Sequence, residues 1–174
     1  MADVEALARR VEALEHRLRS VEDVEAIYRL KAHYGQLVDA RYDRQGPKSG
    51  PELEALAARI ADLFCEDAVW DGGAGLGECR GREAIRQRFL KPTLRFSWHF
   101  FVKPHIEVHG DHAHGTWDIL APCTATDGTP MWMAGVERDD YSREDGRWLH
   151  RSMRLSLVFM APHARGWSRK ASDT

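Results

Sequence analysis

The apolar positions in the first quarter of the chain recur at helical spacing. Between residues 4 and 21 they alternate in steps of four and three, as in a short heptad stripe: Leu7, Val11, Leu14, Leu18 and Val21. Ser20 stands three residues before Asp23, which predicts a fresh helix start and a second helix from about Val24 to Asp43. We therefore expect residues 1–22 to form a helical arm that packs on a neighbouring subunit.

The next stretch mixes helix and strand signals. Residues 44–51, with two prolines and two glycines, predict a loop, and the apolar spacing from Leu53 to Phe64 predicts a third helix. Residues 66–90 then predict a short strand, a glycine-rich turn, a second short strand and a helix that begins near Arg82. The glycines do not form a phosphate-binding fingerprint, so a wide hairpin is the better interpretation.

The second half of the chain reads as strands. Turn signals separate five of them, at residues 95–103, 105–109, 112–122, 131–143 and 147–160. Strict alternation places one set of small and apolar residues on a single inward face: Ala113, Gly115, Trp117, Ile119 and Ala121. Helices followed by antiparallel strands predict an α+β domain over residues 23–162, with a C-terminal tail at 163–174.

Composition restricts the classes of partner. The chain has 174 residues, 43% of them apolar and 30% charged, with a net charge of -2. This balance disfavours nucleic acid, which needs a basic face, and no apolar run is long enough for a membrane span. The charged N-terminus lacks the apolar segment of a signal peptide, and the three cysteines lack metal-site spacing, so a cytoplasmic protein with reduced thiols is expected.

His99 is the first candidate for chemistry because it interrupts the apolar run at residues 95–104. On a strand it shares a face with Ser97 and Phe101, and it could fill a core, bind a metal or move a proton. Asp39 follows an apolar pair near the end of the second predicted helix, where a buried acid needs a partner. Asp43 could take either role, and Tyr34 could donate a hydrogen bond to a substrate or act as an acid.

The other reaction types find less support. Four histidines gather at a predicted hairpin tip, but no set of cysteines or carboxylates completes a tetrahedral zinc site: His105, His109, His112 and His114. The chain also lacks the strained serine turn that nucleophilic acyl transfer requires. We therefore predict no metal.

Several segments in order resemble the SnoaL-like branch of the nuclear transport factor 2-like superfamily. They are "VEALEHRLRSVEDVEAIYRLKAHYGQLVDARYD", "ADLFCEDAVWDGG", "GREAIRQRF", "SWHFFVKPHIEV" and "DDYSREDGRWLHRSMRLSLVF". Scytalone dehydratase, lindane dehydrochlorinase and bile-acid 7α-dehydratase belong to that wider set, and the likeness is strongest to the bile-acid dehydratase type. It spans about residues 4–162 and rests on the order and spacing of short motifs.

The resemblance implies an α+β cone, in which helices close one side of a strongly bent mixed sheet around a deep pocket. It implies a homotrimer or, less favoured, a dimer, and no cofactor. It also implies that a sheet histidine pairs with an aspartate from the end of the long helix, assisted by a tyrosine on that helix. Those positions match His99, Asp39 and Tyr34 here.

The sequence departs from the bile-acid enzyme at one position. Where that type has a further acid, this chain has Ala121, and Asp118 alternates to the other face of the strand. The departure argues against a bile-acid substrate. Arg151 lies about where dehydrochlorinase-type members keep an arginine, although Arg154 could serve as well.

Together these features predict a cofactor-independent lyase of the dehydratase or isomerase type. His99 would move a proton on an aromatic, steroid-like or polyketide-like molecule, within walls drawn from Trp98, Phe101, Trp117 and Trp132, with Arg151 as a further contact. Retro-aldol cleavage that releases a small aldehyde is an alternative reaction. The remaining alternatives are a non-catalytic binding or assembly module, and a small subunit of an oxygenase.

Overall fold

The computed structural model describes residues 2–165. Three helices precede or interrupt the sheet: α1 (Ala2–Asp39), α2 (Gly50–Ala61) and α3 (Arg82–Phe89). The strands are β1 (Tyr42–Asp43), β2 (Gly46–Pro47), β3 (Phe64–Asp71), β4 (Glu78–Arg80), β5 (Phe96–Ser97), β6 (Phe100–His109), β7 (His112–Thr124), β8 (Pro130–Glu144) and β9 (Arg147–Pro162). A short 3-10 turn follows at His163–Arg165. Most of the predicted tail lies outside the described residues.

Seven strands form one curved mixed sheet. Its order is β4-β3-β9-β8-β7, and both β5 and β6 pair with β7 at the far edge. All pairs are antiparallel except β3 with β9. The segment that contains α3 connects β4 at one edge of the sheet to β5 at the opposite edge, and this crossover makes β3 run parallel to β9. The predicted α+β cone is confirmed. No helix within residues 2–165 is long and apolar enough to span a membrane.

The core lies between the helices and the concave face of the sheet. The inward face predicted for β7 is correct, because its five members from Ala113 to Ala121 are all buried. Ala113 and Trp117 pack in a core with side chains from α1, α2 and α3, whereas Ile119 and Ala121 belong to a second apolar cluster further along the strand. Burial of these apolar surfaces is the main term that holds the helices on the sheet.

The predicted division of the N-terminal segment into two helices is wrong. α1 is continuous from Ala2 to Asp39, and it ends before the expected Asp43. Ser20 does not cap a helix start, because its hydroxyl donates to the carbonyl of His16 one turn earlier, at 3.1 Å. The chain turns at Ala40–Arg41 and enters the β1–β2 hairpin, within the segment predicted as a loop.

Three strand boundaries also differ from the prediction. The third predicted helix ends at Ala61, and Phe64 already belongs to β3. The strand predicted at 95–103 is interrupted at Trp98–His99, whereas Pro104 does not end β6. Proline is tolerated there because β6 is an edge strand, and the register shifts between Val102 and His105.

Candidate active site

The structure brings Asp39 and His99 into direct contact. The Nδ1 of His99 lies 2.6 Å from Oδ1 of Asp39, and the backbone N–H of His99 donates to both carboxylate oxygens at 3.2 and 3.1 Å. A carboxylate in this role only accepts hydrogen bonds, so the proton on the ring resides on Nδ1. Nε2 has no hydrogen-bond partner among the described residues, so in the neutral form of the ring its lone pair is free.

The backbone explains why the pair forms at this point. Asp39 is the last residue of α1, and His99 lies in the two-residue break between β5 and β6. The N–H of Trp98 bonds to the carbonyl of Pro122 on β7 at 3.1 Å, so the N–H of His99 points away from β7. The carboxylate of Asp39 satisfies that donor, which joins the end of the long helix to the edge of the sheet.

An open cavity of about 570 Å³, here called the outer cavity, begins at this pair. It lies between the C-terminal half of α1 and the β5–β6 edge. Its walls are mainly apolar, with Lys31, Gln36 and the pair as the principal polar groups: Tyr28, Lys31, Ala32, Gly35, Gln36, Asp39, Ala40, Tyr42, Trp98, His99, Phe100, Phe101, Val102 and Trp117. The volume is within the range of small-molecule pockets.

A second, more enclosed cavity of about 80 Å³, here called the inner cavity, lies within the cone. Tyr34, Trp70, Met133, Glu137 and Leu155 are among its walls. A space of this size holds a few water molecules but not a ring system. Tyr42, His99 and Phe101 line both cavities, so they form the partition between them.

The predicted site residues are therefore divided between two cavities. Trp98 and Trp117 line the outer cavity, whereas Tyr34 lines the inner one. Phe101 stacks nearly parallel to the ring of His99, with an interplanar angle of 8°. Gly35 makes room for Phe101, because a Cβ at this position would lie 3.0 Å from the phenylalanine ring.

Tyr34 keeps its proton in this environment. Its hydroxyl accepts a hydrogen bond from Nε1 of Trp70 at 3.1 Å, and the side chain is buried. Burial, helped by the nearby Glu137, raises the pKa of Tyr34 well above its usual value. The phenol is thus suited to donating a hydrogen bond, and poorly suited to transferring a proton.

The two arginines are placed away from the pair. Arg151 is about half exposed and donates to Asp67 through its two terminal guanidinium nitrogens, one of them at 2.8 Å. Arg154 donates to the hydroxyl of Ser152 at 3.0 Å on the same strand. Neither arginine lines the outer or the inner cavity. Their side chains leave β9 away from the concave face, so the structure does not bring Arg151 to the predicted substrate site.

The cross-strand register places Ala121 opposite His99. Ser97 pairs with Cys123 and Phe100 with Leu120, and the same register through the break sets these two residues side by side. Ala121 is fully buried among apolar side chains. Asp118 faces the other side of the sheet, where it binds Lys103 at 2.6 Å. No side-chain acid therefore stands opposite His99.

The histidines of the β6–β7 hairpin have partners of their own. His114 contacts Asp140 at 2.7 Å, and His112 lies 3.4 Å from the hydroxyl of Ser142. Within residues 2–165, no group of three or more histidine, cysteine or acidic side chains is arranged to hold a metal ion.

Comparison with known proteins gives the family. The SnoaL-like domain matches residues 52–154, more than half of the chain. The chain belongs to the SnoaL-like domain family. No curated protein matches this sequence.

Solved structures show the same fold. A hexachlorocyclohexane dehydrochlorinase, LinA type 2, has a TM-score of 0.70 and 21% identity, covering 91% of this SnoaL-like chain and 99% of its own. LinA type 3 from Novosphingobium barchaimii has a TM-score of 0.69 and 21% identity, with 88% and 98% coverage. A candidate scytalone dehydratase from Novosphingobium aromaticivorans has a TM-score of 0.67 and 18% identity, with 86% and 97% coverage.

The SnoaL-like domain also buries a charged cluster that the sequence analysis missed. Lys31, fully buried on α1, donates to Glu137 and, at 2.7 Å, to Oδ2 of Asp139, both on β8. The hydroxyl of Tyr141 donates to the same oxygen at 2.8 Å and accepts from Nε1 of Trp117 at 3.0 Å. One sequence signal was available: residues 137, 139 and 141 share the inward face of a strand.

This cluster contains one cation and two carboxylates away from water. Although burial opposes it, the attraction of Asp139 and Glu137 raises the pKa of Lys31, so the ammonium stays charged. Burial raises the pKa of Asp139. The cluster fixes the middle of α1 to β8, eight residues before Asp39, and Glu137 also forms part of the inner cavity wall.

His150 lies beside this cluster as a neutral ring. Burial, together with the charge of Lys31, lowers its pKa well below the usual value. Neither ring nitrogen has a hydrogen-bond partner among the described residues, and Nδ1 is 3.9 Å from Asp139. Its ring packs among Tyr34, Phe64 and Tyr141, with centroids 5.0 to 5.6 Å apart.

Replacing Lys31 by methionine should destabilise the domain strongly. The substitution leaves two buried carboxylates without their cation, a change that typically costs about 3–5 kcal/mol. Urea denaturation would measure the free energy of unfolding. Lys103→Met is the matched control, because Lys103 pairs with Asp118 on the surface and its loss should have little effect. Equal stability of the two variants would contradict the role of Lys31.

The neutral His150 should make the domain sensitive to acid. Below about pH 6.5 the unfolded chain protonates this histidine while the folded protein does not, so its contribution to stability falls as the pH falls. Relative to a His150→Phe variant, the wild type should lose up to about 1.4 kcal/mol for each pH unit below that point. Denaturation curves between pH 7.5 and 5 would test this. Parallel stability profiles would show that His150 is charged or exposed.

Proposed function

We propose that this protein is a cofactor-independent lyase in which His99, oriented by Asp39, removes a proton from an apolar, ring-containing substrate in the outer cavity. The observation that carries the proposal is the free Nε2 of a carboxylate-bound imidazole in the wall of a cavity of about 570 Å³. Neutral imidazole is a suitable base near neutral pH.

The geometry of the pair supports a base that can be protonated and deprotonated in turn. Asp39 holds the Nδ1 proton, so Nε2 presents its lone pair to the substrate. When Nε2 takes up a proton, the adjacent carboxylate stabilises the imidazolium that forms. The bond from the backbone N–H of His99 to Asp39 keeps the carboxylate in place during this change.

The cavity walls support an apolar substrate with rings. Trp98, Phe100, Phe101 and Trp117 present aromatic surfaces, which favour flat or polycyclic ligands through burial and ring stacking. Few polar groups compete for the ligand, and Lys31 is already bound to its two carboxylates. A monocyclic to steroid-sized molecule suits the volume.

His99 itself returns the proton in this mechanism. Ala121 offers no acid opposite the ring, and Tyr34 lies in the other cavity with a raised pKa. In a dehydration, His99 takes a proton from carbon, the electrons of that C–H bond form a C=C bond, and the C–O bond breaks. The imidazolium then protonates the departing hydroxide on the same face, which releases water. Return of the proton to another carbon gives double-bond isomerisation instead.

The fold comparisons agree with this reaction type. The structural neighbours include a protein named as a hexachlorocyclohexane dehydrochlorinase and one named as a candidate scytalone dehydratase. Both names denote eliminations. Neighbours that catalyse eliminations on this scaffold favour a lyase. Because fold does not determine function, the proposal for this chain rests on the geometry of its own site.

Removing the imidazole should abolish catalysis without unfolding the protein. With a panel of aryl and polycyclic β-hydroxy ketones, turnover would be followed by the absorbance of the conjugated product. His99→Ala should lower kcat at least about 100-fold, because general base catalysis contributes about 100- to 10,000-fold. Asp39→Asn should cause a smaller loss, since the base remains but is no longer oriented.

The control for this experiment is Asp118→Asn, which removes a carboxylate from the opposite face of the sheet and should leave kcat unchanged. Circular dichroism would verify the fold of each variant. Wild-type turnover in His99→Ala would contradict the proposal. Binding of panel compounds without any turnover would indicate a ligand carrier instead.

Filling the outer cavity should weaken substrate binding. Ala32→Phe places a ring in the cavity wall, whereas Ala26→Phe adds the same ring on an exposed part of α1 outside either cavity. We expect kcat/KM to fall at least about tenfold for the first variant, the equivalent of about 1.4 kcal/mol of lost binding, and to stay unchanged for the second. Unchanged kcat/KM in Ala32→Phe would place the substrate elsewhere.

A further inference from the structure

The N-terminal arm, defined here as residues 3–22 of α1, buries none of its residues against the rest of the described chain. The last turns of the arm adjoin the tip of the β6–β7 hairpin. The first side-chain hydrogen bonds from α1 to the sheet are made by Asp23, which accepts from Arg143 at 2.7 Å and from Nε1 of Trp148 at 3.0 Å. Every residue from Asp3 to Glu22 is exposed. The arm therefore leaves the body at a defined point and continues for about 30 Å, at 1.5 Å per residue.

The arm carries an apolar stripe whose exposure to water is energetically unfavourable. Six side chains, each 46–70% exposed, follow a heptad pattern over three repeats: Val4, Val11 and Leu18 at positions a, and Leu7, Leu14 and Val21 at positions d. Glu25 occupies the next a position and ends the stripe. A seam of this kind is buried by another helix with the same pattern.

The charges beside the seam select both the partner and its direction. Arg10 and Arg17 occupy g positions, and Glu15 and Glu22 occupy e positions. In a parallel pair of identical helices, each g residue meets the e residue five positions later on the partner, which joins Arg10 to Glu15 and Arg17 to Glu22. In an antiparallel pair g meets g and e meets e, so that like charges would face each other.

These four residues are available for such pairing. None of them forms an ion pair or side-chain hydrogen bond within residues 2–165. The first two repeats also combine valine at a with leucine at d, and a β-branched residue at a with leucine at d favours two strands over three.

We propose that the arm binds the arm of a second copy of this chain in a parallel, in-register, two-stranded coiled coil. The pairing places both bodies at the same end of the coil, adjoining Asp23. It identifies the occupant of the exposed stripe as a second copy, and it favours a dimer over the trimer that the sequence resemblance implied. The inference stands apart from the proposed reaction, because no arm residue lines the outer or the inner cavity.

Disulfide cross-linking of the full chain tests direction and register together. Leu7→Cys puts a thiol at a d position, which in the parallel pair lies beside the same thiol of the partner and within disulfide reach. Arg9→Cys is the matched control, since position f faces away from the seam. In an antiparallel pair residue 7 would lie beside residue 18 of the partner, so the two residue 7 positions would be about 17 Å apart from the helical rise.

After mild oxidation, Leu7→Cys should convert almost completely to cross-linked pairs, while Arg9→Cys and the wild type, with its three native cysteines, should not. Equal cross-linking of the two variants, or none in Leu7→Cys, would overturn the parallel pairing. A plateau that leaves one chain of every three unlinked would indicate a three-stranded arm and overturn the dimer.

Charge reversal tests the pairing rule independently. In the double variant Glu15→Arg with Glu22→Arg, arginines occupy both the e and the g positions and repel each other across the pair. The protein concentration at which half of the dimer dissociates should therefore be at least about tenfold higher than for the wild type. Adding Arg10→Glu and Arg17→Glu to the same chain restores opposite charges and should restore association. Light scattering across a dilution series would measure this. An unchanged double variant, or no recovery in the fourfold variant, would contradict the assignment of the e and g positions.

Discussion

The organisation of the site depends on one carboxylate that accepts three hydrogen bonds from a single residue. Asp39 binds the ring Nδ1 and the backbone N–H of His99, and so fixes the tautomer, the ring position and the strand break together. Without this acceptor the backbone N–H at the sheet edge would lack its protein partner. The pair is thus a structural joint between α1 and the sheet, and it is also the proposed base.

The buried cluster supports that joint from within. Lys31 binds Glu137 and Asp139 on β8, which limits movement of α1 along the sheet. Buried ion pairs of this kind contribute little net stability compared with an apolar core. They do, however, favour one packing arrangement, because each charge needs its partner. The register of α1 on β8 places Asp39 at the height of His99. The ammonium also lies 4.4 Å from the ring centroid of Phe101, one of the residues that separate the two cavities.

Much of the fold could be predicted because its signals are local. Strand alternation from Ala113 to Ala121 and the turn residues between strands depend only on neighbours in sequence, and apart from the turn expected at Pro104 they agree with the structure. The helix restart at Ser20 was predicted wrongly because a serine looks alike whether it caps a helix or bonds back to His16. The break at Trp98–His99 is invisible in the sequence, because the apolar run continues through it.

The site was predictable only in part because its members are distant in sequence. The pairing of Asp39 with His99 was predicted from the position of an acid beside apolar residues on a helix and from the family resemblance. Lys31 and Asp139 were missed, since 30% of the chain is charged and the shared strand face of residues 137, 139 and 141 does not by itself show that a lysine from α1 meets them. The division of the pocket by Phe101 likewise depends on packing.

The central claim is that the neutral imidazole of His99 carries its proton on Nδ1 and presents Nε2 to the cavity. Nitrogen-15 NMR of histidine-labelled protein at neutral pH measures this directly, with the signal assigned by its loss in His99→Ala and its environment tested with Asp39→Asn. The account predicts a protonated, hydrogen-bonded Nδ1 and an unprotonated Nε2 for His99, and a change in both signals when Asp39 is replaced. A proton on Nε2, or signals that do not respond to the replacement, would contradict it.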